Sequence, residues 1–133
     1  MKISDSARNA AVNAVAGLID GGSSNGNITI RTGAAPTNTT DPDSGTLLAT
    51  LPMSDPAFGA ASGGTATANS ITSDTNIAAT GTAGHFRAKD SSGGTVLQGS
   101  CGTSGADINF DSVSFIAGGT CAISSLTLTQ PAS

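Results

Sequence analysis

Near the start of the chain, apolar side chains recur every three or four residues. This period predicts an amphipathic helix over residues 3–19. Ser4 is placed to act as the N-cap, Asp5 favours the positive end of the helix dipole, and Gly21–Gly22 supply residues that commonly end helices. The stripe is narrow and rich in alanine, so it fits either this protein's own sheet or another chain. The predicted inner face consists of Ile3, Ala7, Ala11, Val15, Leu18 and Ile19.

Beyond the helix, the period of apolar positions changes to two. In residues 27–32, Ile28 and Ile30 share one face, which predicts a half-buried strand. Residues 46–51 predict a second strand. Between the two, residues 33–45 combine prolines, aspartates, threonines and glycines, a composition that sustains neither a strand ladder nor a helix. We therefore expect an exposed loop there.

The segment from Pro52 to Thr82 has few large apolar residues to anchor it. Within it, residues 65–71 and 75–79 are candidate strands built from small side chains. Their alternation is too weak to define a register. This part of the chain is therefore the least determined by its pattern.

The last fifty residues alternate more clearly. Residues 85–90 and 95–99 predict a hairpin, with Phe86 and Ala88 pointing inward. The segment from 107 to 115 then continues the hairpin as a meander. Residues 120–129 predict the final strand, in which a change of phase near Ser124–Ser125 suggests a bulge.

Short strands with turns between them, and no alternation of strand and helix, are typical of sandwiches and barrels. The sequence therefore predicts an all-β fold, an antiparallel β-sandwich or jelly-roll-like barrel with one N-terminal α-helix. The length suits a single domain over residues 1–133, with the helix in 1–22 and the β domain in 27–133.

Composition narrows the classes of function. Charged residues make up 11% of the chain, against about a quarter in ordinary soluble domains. The net charge is −4 and the five basic residues are scattered, so we expect no nucleic-acid partner. No run approaches the roughly 18 apolar residues of a membrane span, and no secretory signal is visible, so we expect synthesis in the cytoplasm and no membrane partner.

The core that this composition allows is lean. The chain has four Phe and neither Trp nor Tyr, and most of its apolar residues are aliphatic side chains of modest area. We therefore expect stability to depend partly on other subunits and predict a homo-oligomer, most simply a trimer.

No residue is predicted to be catalytic, to hold a cofactor or to bind a metal. His85 is the only histidine, and its alternation with Arg87 and Lys89 is typical of a solvated strand face. Asp41 and Asp43 have the spacing of a calcium loop but lack its distal glutamate, which favours a solvated loop. The remaining close pair of carboxylates, Asp107 and Asp111, has no aromatic platform for a sugar beside it.

The two cysteines, Cys101 and Cys121, provide neither a disulfide framework nor the four ligands of a zinc site. We expect two half-buried thiols on strands. A disulfide between them remains an alternative after release into an oxidising medium.

Most of the chain resembles small virion proteins encoded by tailed phages and prophages. The resemblance implies a particle component, such as a capsid decoration or cement protein, that contacts the major capsid protein. Family members usually have a bulkier aromatic residue at position 85 and an apolar residue at position 101, where this chain has His85 and Cys101. The stretches that carry the resemblance are Ile30–Pro36 (IRTGAAP), Gly45–Leu51 (GTLLATL), Gly81–Asp90 (GTAGHFRAKD) and Gly99–Asp107 (GSCGTSGAD).

Two alternatives stay open at this point. The first is a tail, baseplate or fibre-associated module of the same particle. The second is a small hydrolase or carbohydrate-binding domain, which the shortage of aromatic residues disfavours. Within the decoration hypothesis, we expect residues 84–129 to form the scaffold, and the helix, residues 33–45 and residues 59–82 to dock on the shell.

Overall fold

The computed structural model describes all 133 residues, and the fold is mainly β with one helix. The elements are α1 (Asp5–Ile19), β1 (Asn27–Thr32), β2 (Leu47–Pro52), β3 (Thr65–Thr67), β4 (Gly81–Lys89), β5 (Thr95–Gly102), β6 (Ile108–Asn109), β7 (Ser114–Phe115) and β8 (Thr127–Thr129).

The strands form one large and one small sheet. The large sheet has the order β2-β1-β4-β5-β6, with β7 pairing the first residues of β4. Its centre is antiparallel, and the β1–β4 register places Ile28 opposite Ala88 and Ile30 opposite Phe86. All four of these side chains are buried, so the inward direction predicted from alternation is confirmed. The small sheet pairs β3 with β8.

The predicted helix is confirmed, but its buried face overlaps the predicted one only in part. The Ser4 side chain accepts a hydrogen bond from the Ala7 amide, as expected of an N-cap. The buried residues are Val12, Ala16 and Ile19, whereas Leu18 is 62% exposed. Of the predicted inner face, only Ile19 is buried. Ala11 and Val15 are half-buried, and the remaining members, Ile3, Ala7 and Leu18, are exposed.

Close backbone packing surrounds Ile19 at the end of the helix. A Cβ atom at Gly26 would lie 2.6 Å from Cγ2 of Ile19 and 2.5 Å from the carbonyl oxygen of Lys89. Only glycine therefore lets the end of the helix sit against the start of β1 and the end of β4.

The C-terminal half is not a meander. After β5, the strand β6 pairs parallel to β5, and β7 returns to pair with β4. The parallel pairing covers only two residues of each strand, and residues 103–107 join them in a loop shorter than the dozen or more residues of an ordinary parallel crossover. Alternation along one strand carries no information about the direction of its neighbour, so the pattern did not reveal this topology.

Several predicted strands are shorter than expected. Of residues 65–71, only Thr65–Thr67 form a strand, and residues 75–79 form none. In the segment 120–129, the strand begins at Thr127. The bulge predicted at Ser124–Ser125 is therefore wrong, because no strand runs through that position.

One apolar cluster joins the elements. It contains 21 buried residues drawn from the helix, both sheets and the long connections between them. Ile28, Leu48 and Leu51 are fully buried in it, although they precede residue 84. The prediction that residues 84–129 hold together as a separate scaffold is therefore wrong.

Candidate functional site

The outer face of β4, opposite the core, carries most of the charged groups with fixed partners. His85, Arg87 and Lys89 alternate along this face, which the sequence predicted to be solvated. That prediction is wrong: His85 is 0% exposed and Arg87 is 2% exposed. Residues 33–45, which connect β1 to β2, fold across the face and supply its hydrogen-bond partners. We call these residues the clamped loop.

Arg87 is the centre of the contact. Its Nη1 donates to the carbonyl of Asp41 at 2.8 Å and to Oδ1 of Asp43 at 3.0 Å. Its Nη2 donates to the carbonyl of Asn38 at 3.1 Å, and its Nε donates to Oε1 of Gln98 at 3.0 Å. A guanidinium presents five N–H donors in a planar fork. One side chain therefore holds three positions of the clamped loop at once.

Asp43 is the charged partner that the loop contributes. Its Oδ2 accepts from Nζ of Lys89 at 2.6 Å and from Nη2 of Arg31 at 3.3 Å. The hydrogen bond from Lys89 lowers the pKa of Asp43 most; partial burial opposes it, and the hydrogen bond from Arg87 lowers the pKa further. The carboxylate, 28% exposed, is thus surrounded by three cations.

The first residue of the clamped loop, Gly33, packs directly against β4. Nδ1 of His85 is 2.9 Å from the carbonyl oxygen of Gly33. A carbonyl only accepts, so Nδ1 carries the hydrogen, and the buried Nε2 has no partner. A Cβ atom at Gly84 would lie 2.2 Å from the same carbonyl oxygen, so only glycine allows this approach. Nε2 of Gln98 adds a hydrogen bond of 2.6 Å to the carbonyl of Pro36.

The clamped loop therefore presents a fixed outer surface. Thr37, Thr39, Thr40 and Pro42 are exposed on it and carry no charge. Between the loop and the β4–β5 turn lies a cleft of about 470 Å³ that no apolar residue lines. The loop is exposed, as predicted, but it is anchored at its inner side.

The calcium-like spacing in the loop has another explanation. Oδ2 of Asp41 accepts from the amide of Asn38 at 2.8 Å, which closes a local turn. Both oxygens of Asp43 accept from cations. No group of three or more His, Cys or Asp side chains is arranged to hold a metal ion.

The other predicted carboxylate pair is separated into different environments. Oδ2 of Asp107 accepts from the amide of Ser100 at 2.9 Å and from its hydroxyl at 3.2 Å. Asp111 is exposed and lines a different depression, beside Phe110 and Phe115. The two carboxylates therefore do not form one acidic site.

The cysteines are free thiols. Burial, with smaller contributions from Cys121 and Asp107, raises the pKa of Cys101 to about 12. Burial, and then Asp74, raises the pKa of Cys121 to about 11. Both thiols are therefore protonated at neutral pH. Cys101 is half-buried, as predicted, whereas Cys121 is more completely buried than predicted.

Sequence reasoning missed two features. The first is that three of the five basic residues converge on Asp43. The sequence held a signal for this, because Arg31, Arg87 and Lys89 lie on two strands that were both predicted. The second is an apolar groove of about 450 Å³ between β5 and β8. No local pattern could reveal it, because its walls are far apart in the chain.

The single helix, 15 residues long, is neither long nor apolar enough to cross a membrane. Comparison with protein-family models, curated proteins and solved structures gives no match.

Proposed function

We propose that this chain is a structural protein of a tailed bacteriophage particle, a capsid decoration protein that binds the major capsid protein lattice and stabilises the head. It acts by binding and not by catalysis. Within this proposal, the strands form a sandwich or jelly-roll-like barrel and the protein assembles as a trimer on the virion.

The observation that carries the proposal is the clamped loop. It presents exposed, uncharged threonines from a loop that Arg87 holds through two backbone carbonyls and the carboxylate of Asp43. A surface held in one conformation loses little entropy on binding, and hydroxyl groups are easier to desolvate than ions. These are the properties needed by a protein that attaches many times to a repeating shell.

The resemblance to virion proteins supports the same surface. Three of the four stretches that carry it build the clamp: Ile30–Pro36 contains Arg31 and Gly33, Gly45–Leu51 follows the loop, and Gly81–Asp90 is the strand beneath it. The fourth stretch, Gly99–Asp107, reaches the apolar groove.

A labelled copy of the protein in purified particles tests the location. We expect label over the head and a copy number on the order of hundreds, as a repeating lattice requires. A count in multiples of three or six, confined to the tail, would instead establish the tail, baseplate or fibre-associated alternative. Absence from particles would refute both.

A charge placed on the loop tests the docking surface. Thr40→Arg buries an unpaired cation if the loop contacts the shell, so we expect capsid occupancy to fall about tenfold or more. Thr120→Arg, at an exposed position outside the loop, is the matched control and leaves occupancy unchanged. Equal occupancy of the two variants would exclude the loop as the contact.

A further inference from the structure

The apolar groove separates two strand edges. Its volume is about 450 Å³, and its walls come from β5, β8 and the connection before β6. Six apolar residues line it: Phe58, Phe86, Leu97, Ala106, Leu126 and Leu128. The groove therefore lies between the large sheet and the small one.

One side of the groove is an open edge of β5. This strand pairs with β4 along its length but meets β6 only at Cys101 and Gly102. The amide of Ser100 is bonded to Asp107, and the carbonyl of Gly102 accepts from Phe110, so both residues point away from β4. Backbone direction alternates along a strand. The backbone N–H and C=O of Gln98 therefore also point outward, where no strand covers them.

The other side is an open edge of β8. The carbonyl of Leu126 accepts from Ala68, and the amide of Gln130 donates to Gly64, so the even-numbered residues face β3. Thr127 and Thr129 consequently direct their backbone groups away from β3, and β8 has no second partner strand. Both residues line the groove.

We propose that this groove binds an extended segment of another protein of the particle, which adds a β-strand between β5 and β8. Open strand edges are templates for pairing, and pockets beneath them select alternate side chains of the added strand. The inference rests on the proposed function, because it takes the partner to be a virion protein.

The lining defines the chemistry of the segment. Its only charged residue is Asp107, whose Oδ2 is engaged by Ser100 while its Oδ1 makes no hydrogen bond. The segment that fits is uncharged and apolar at alternate positions, with one Lys or Arg opposite Asp107. Attraction between this positive side chain and the carboxylate of Asp107 sets the register of the added strand.

A second copy of this chain lacks such a segment. Its exposed large apolar residues are Met1, Ile3, Leu18 and Ile116. Only Met1 and Ile3 alternate, and the amide of Ile3 is already bonded to the carbonyl of Ala132. The occupant is therefore a different protein.

The test uses the full chain carrying its own donor strand. A flexible linker of about ten residues after Ser133 is followed by the extension Thr-Val-Thr-Val-Thr-Val-Lys, since a short linker keeps the effective concentration high. The matched control has proline at the second and fourth residues of the extension, which removes pairing donors. Amide hydrogen exchange is measured at Gln98, Thr127 and Thr129, and attachment to particles lacking the protein is measured in parallel.

We expect exchange at these three amides to slow by about tenfold or more with the donor strand but not with the proline control. Particle attachment of the donor-strand protein should fall by a similar factor, because the groove is filled. Unchanged exchange would overturn the groove as a strand acceptor, and slowed exchange with full attachment would overturn its role in docking.

Two further outcomes separate this inference from the proposed function. If the unmodified chain does not attach to particles but the donor strand still protects the amides, the proposed function and the virion partner are wrong while the strand-accepting groove stands. If the unmodified chain dimerises with protection of the same amides, the occupant is a second copy, and the inference of a different partner is wrong.

Discussion

At the scale of single residues, the charged groups of this protein act mainly inside it. Arg87 makes hydrogen bonds to Asn38, Asp41, Asp43 and Gln98 from a position that is 2% exposed. A buried charge is tolerable only when its partners are complete. The clamped loop therefore has more of its contacts with this guanidinium than with any other side chain.

Replacement of Arg87 by alanine should destabilise the protein strongly. The change leaves two loop carbonyls and the amide oxygen of Gln98 without their donor, so we expect a loss of about 3 kcal/mol in the free energy of unfolding. Lys2→Ala, at a fully exposed position, should change it by less than about 0.5 kcal/mol. Urea denaturation provides both values, and equal values would show that the clamp contributes nothing.

The lowered pKa of Asp43 predicts acid sensitivity. A carboxyl whose pKa is lower in the folded than in the unfolded state stabilises the protein above its unfolded pKa, which for an aspartate is ordinarily near 3.8. That contribution is lost as the pH falls through the folded pKa. We therefore expect the stability of the wild type to drop more steeply than that of Asp43→Asn as the pH is lowered from about 5 to 2.

Urea denaturation across that pH range checks the prediction. The matched control is Asp111→Asn, which removes an exposed carboxylate that makes no hydrogen bond. Its stability should follow the wild-type curve. Parallel curves for the wild type and Asp43→Asn would contradict the assigned role of Asp43.

The residues also show how far alternation can be interpreted. Ile28, Ile30, Phe86 and Ala88 were correctly placed in the core because one face of each strand is uniformly apolar. His85 was misplaced because a polar face that meets water and a polar face that meets a loop have the same pattern. Only the fold of residues 33–45 distinguishes the two cases.

At the scale of elements, the helix is part of the core. Val12, Ala16 and Ile19 belong to the main apolar cluster, so removal of residues 1–22 would expose it. The helix is therefore not separable from the strands, and we expect its removal to destabilise them. What the helix offers a partner is the exposed side that includes Leu18.

Adjacent substitutions in the helix test this orientation. Ile19 is 0% exposed and Leu18 is 62% exposed. We expect Ile19→Ala to lower the free energy of unfolding by about 2–5 kcal/mol through the cavity it leaves. Leu18→Ala should change it by less than about 0.5 kcal/mol. Similar losses for both variants would restore the predicted stripe as the buried face.

Strands with large apolar residues were predictable, and short strands were not. The first strand and the hairpin of β4 with β5 follow from their own alternation. The pairing of β3 with β8 joins Thr65 to Thr129, which lie 64 residues apart, and its side chains are mostly threonines. Pairing of this kind depends on tertiary packing, so the β-propensity of the local sequence does little to predict it.

At the scale of the whole molecule, the surface is slightly larger than expected. The accessible area is 6665 Å². A compact monomer of this mass has roughly 6,200 Å². The small excess agrees with an open groove and with exposed apolar side chains such as Leu18 and Ile116. A stable association would bury about 800 Å² per partner.

We therefore predict that the purified protein forms an oligomer, most simply a trimer. Light scattering at micromolar concentration should give about three times the chain mass of 12.7 kDa. Leu18→Ser combined with Ile116→Ser should shift the population toward monomer without unfolding, because both residues are exposed in the isolated chain. A thermally robust wild-type monomer would contradict the prediction.

The clamp around Asp43 also determines how neighbouring copies interact at a distance. Three of the five cations and one of the nine carboxylates are held in that cluster. The rest of the molecule is left with Lys2 and Arg8 against eight aspartates. Copies crowded side by side therefore repel one another through solvent, and this repulsion weakens as added salt shortens its range. Dense coverage of any surface is thus favoured at high ionic strength, or on a support whose own groups are cationic.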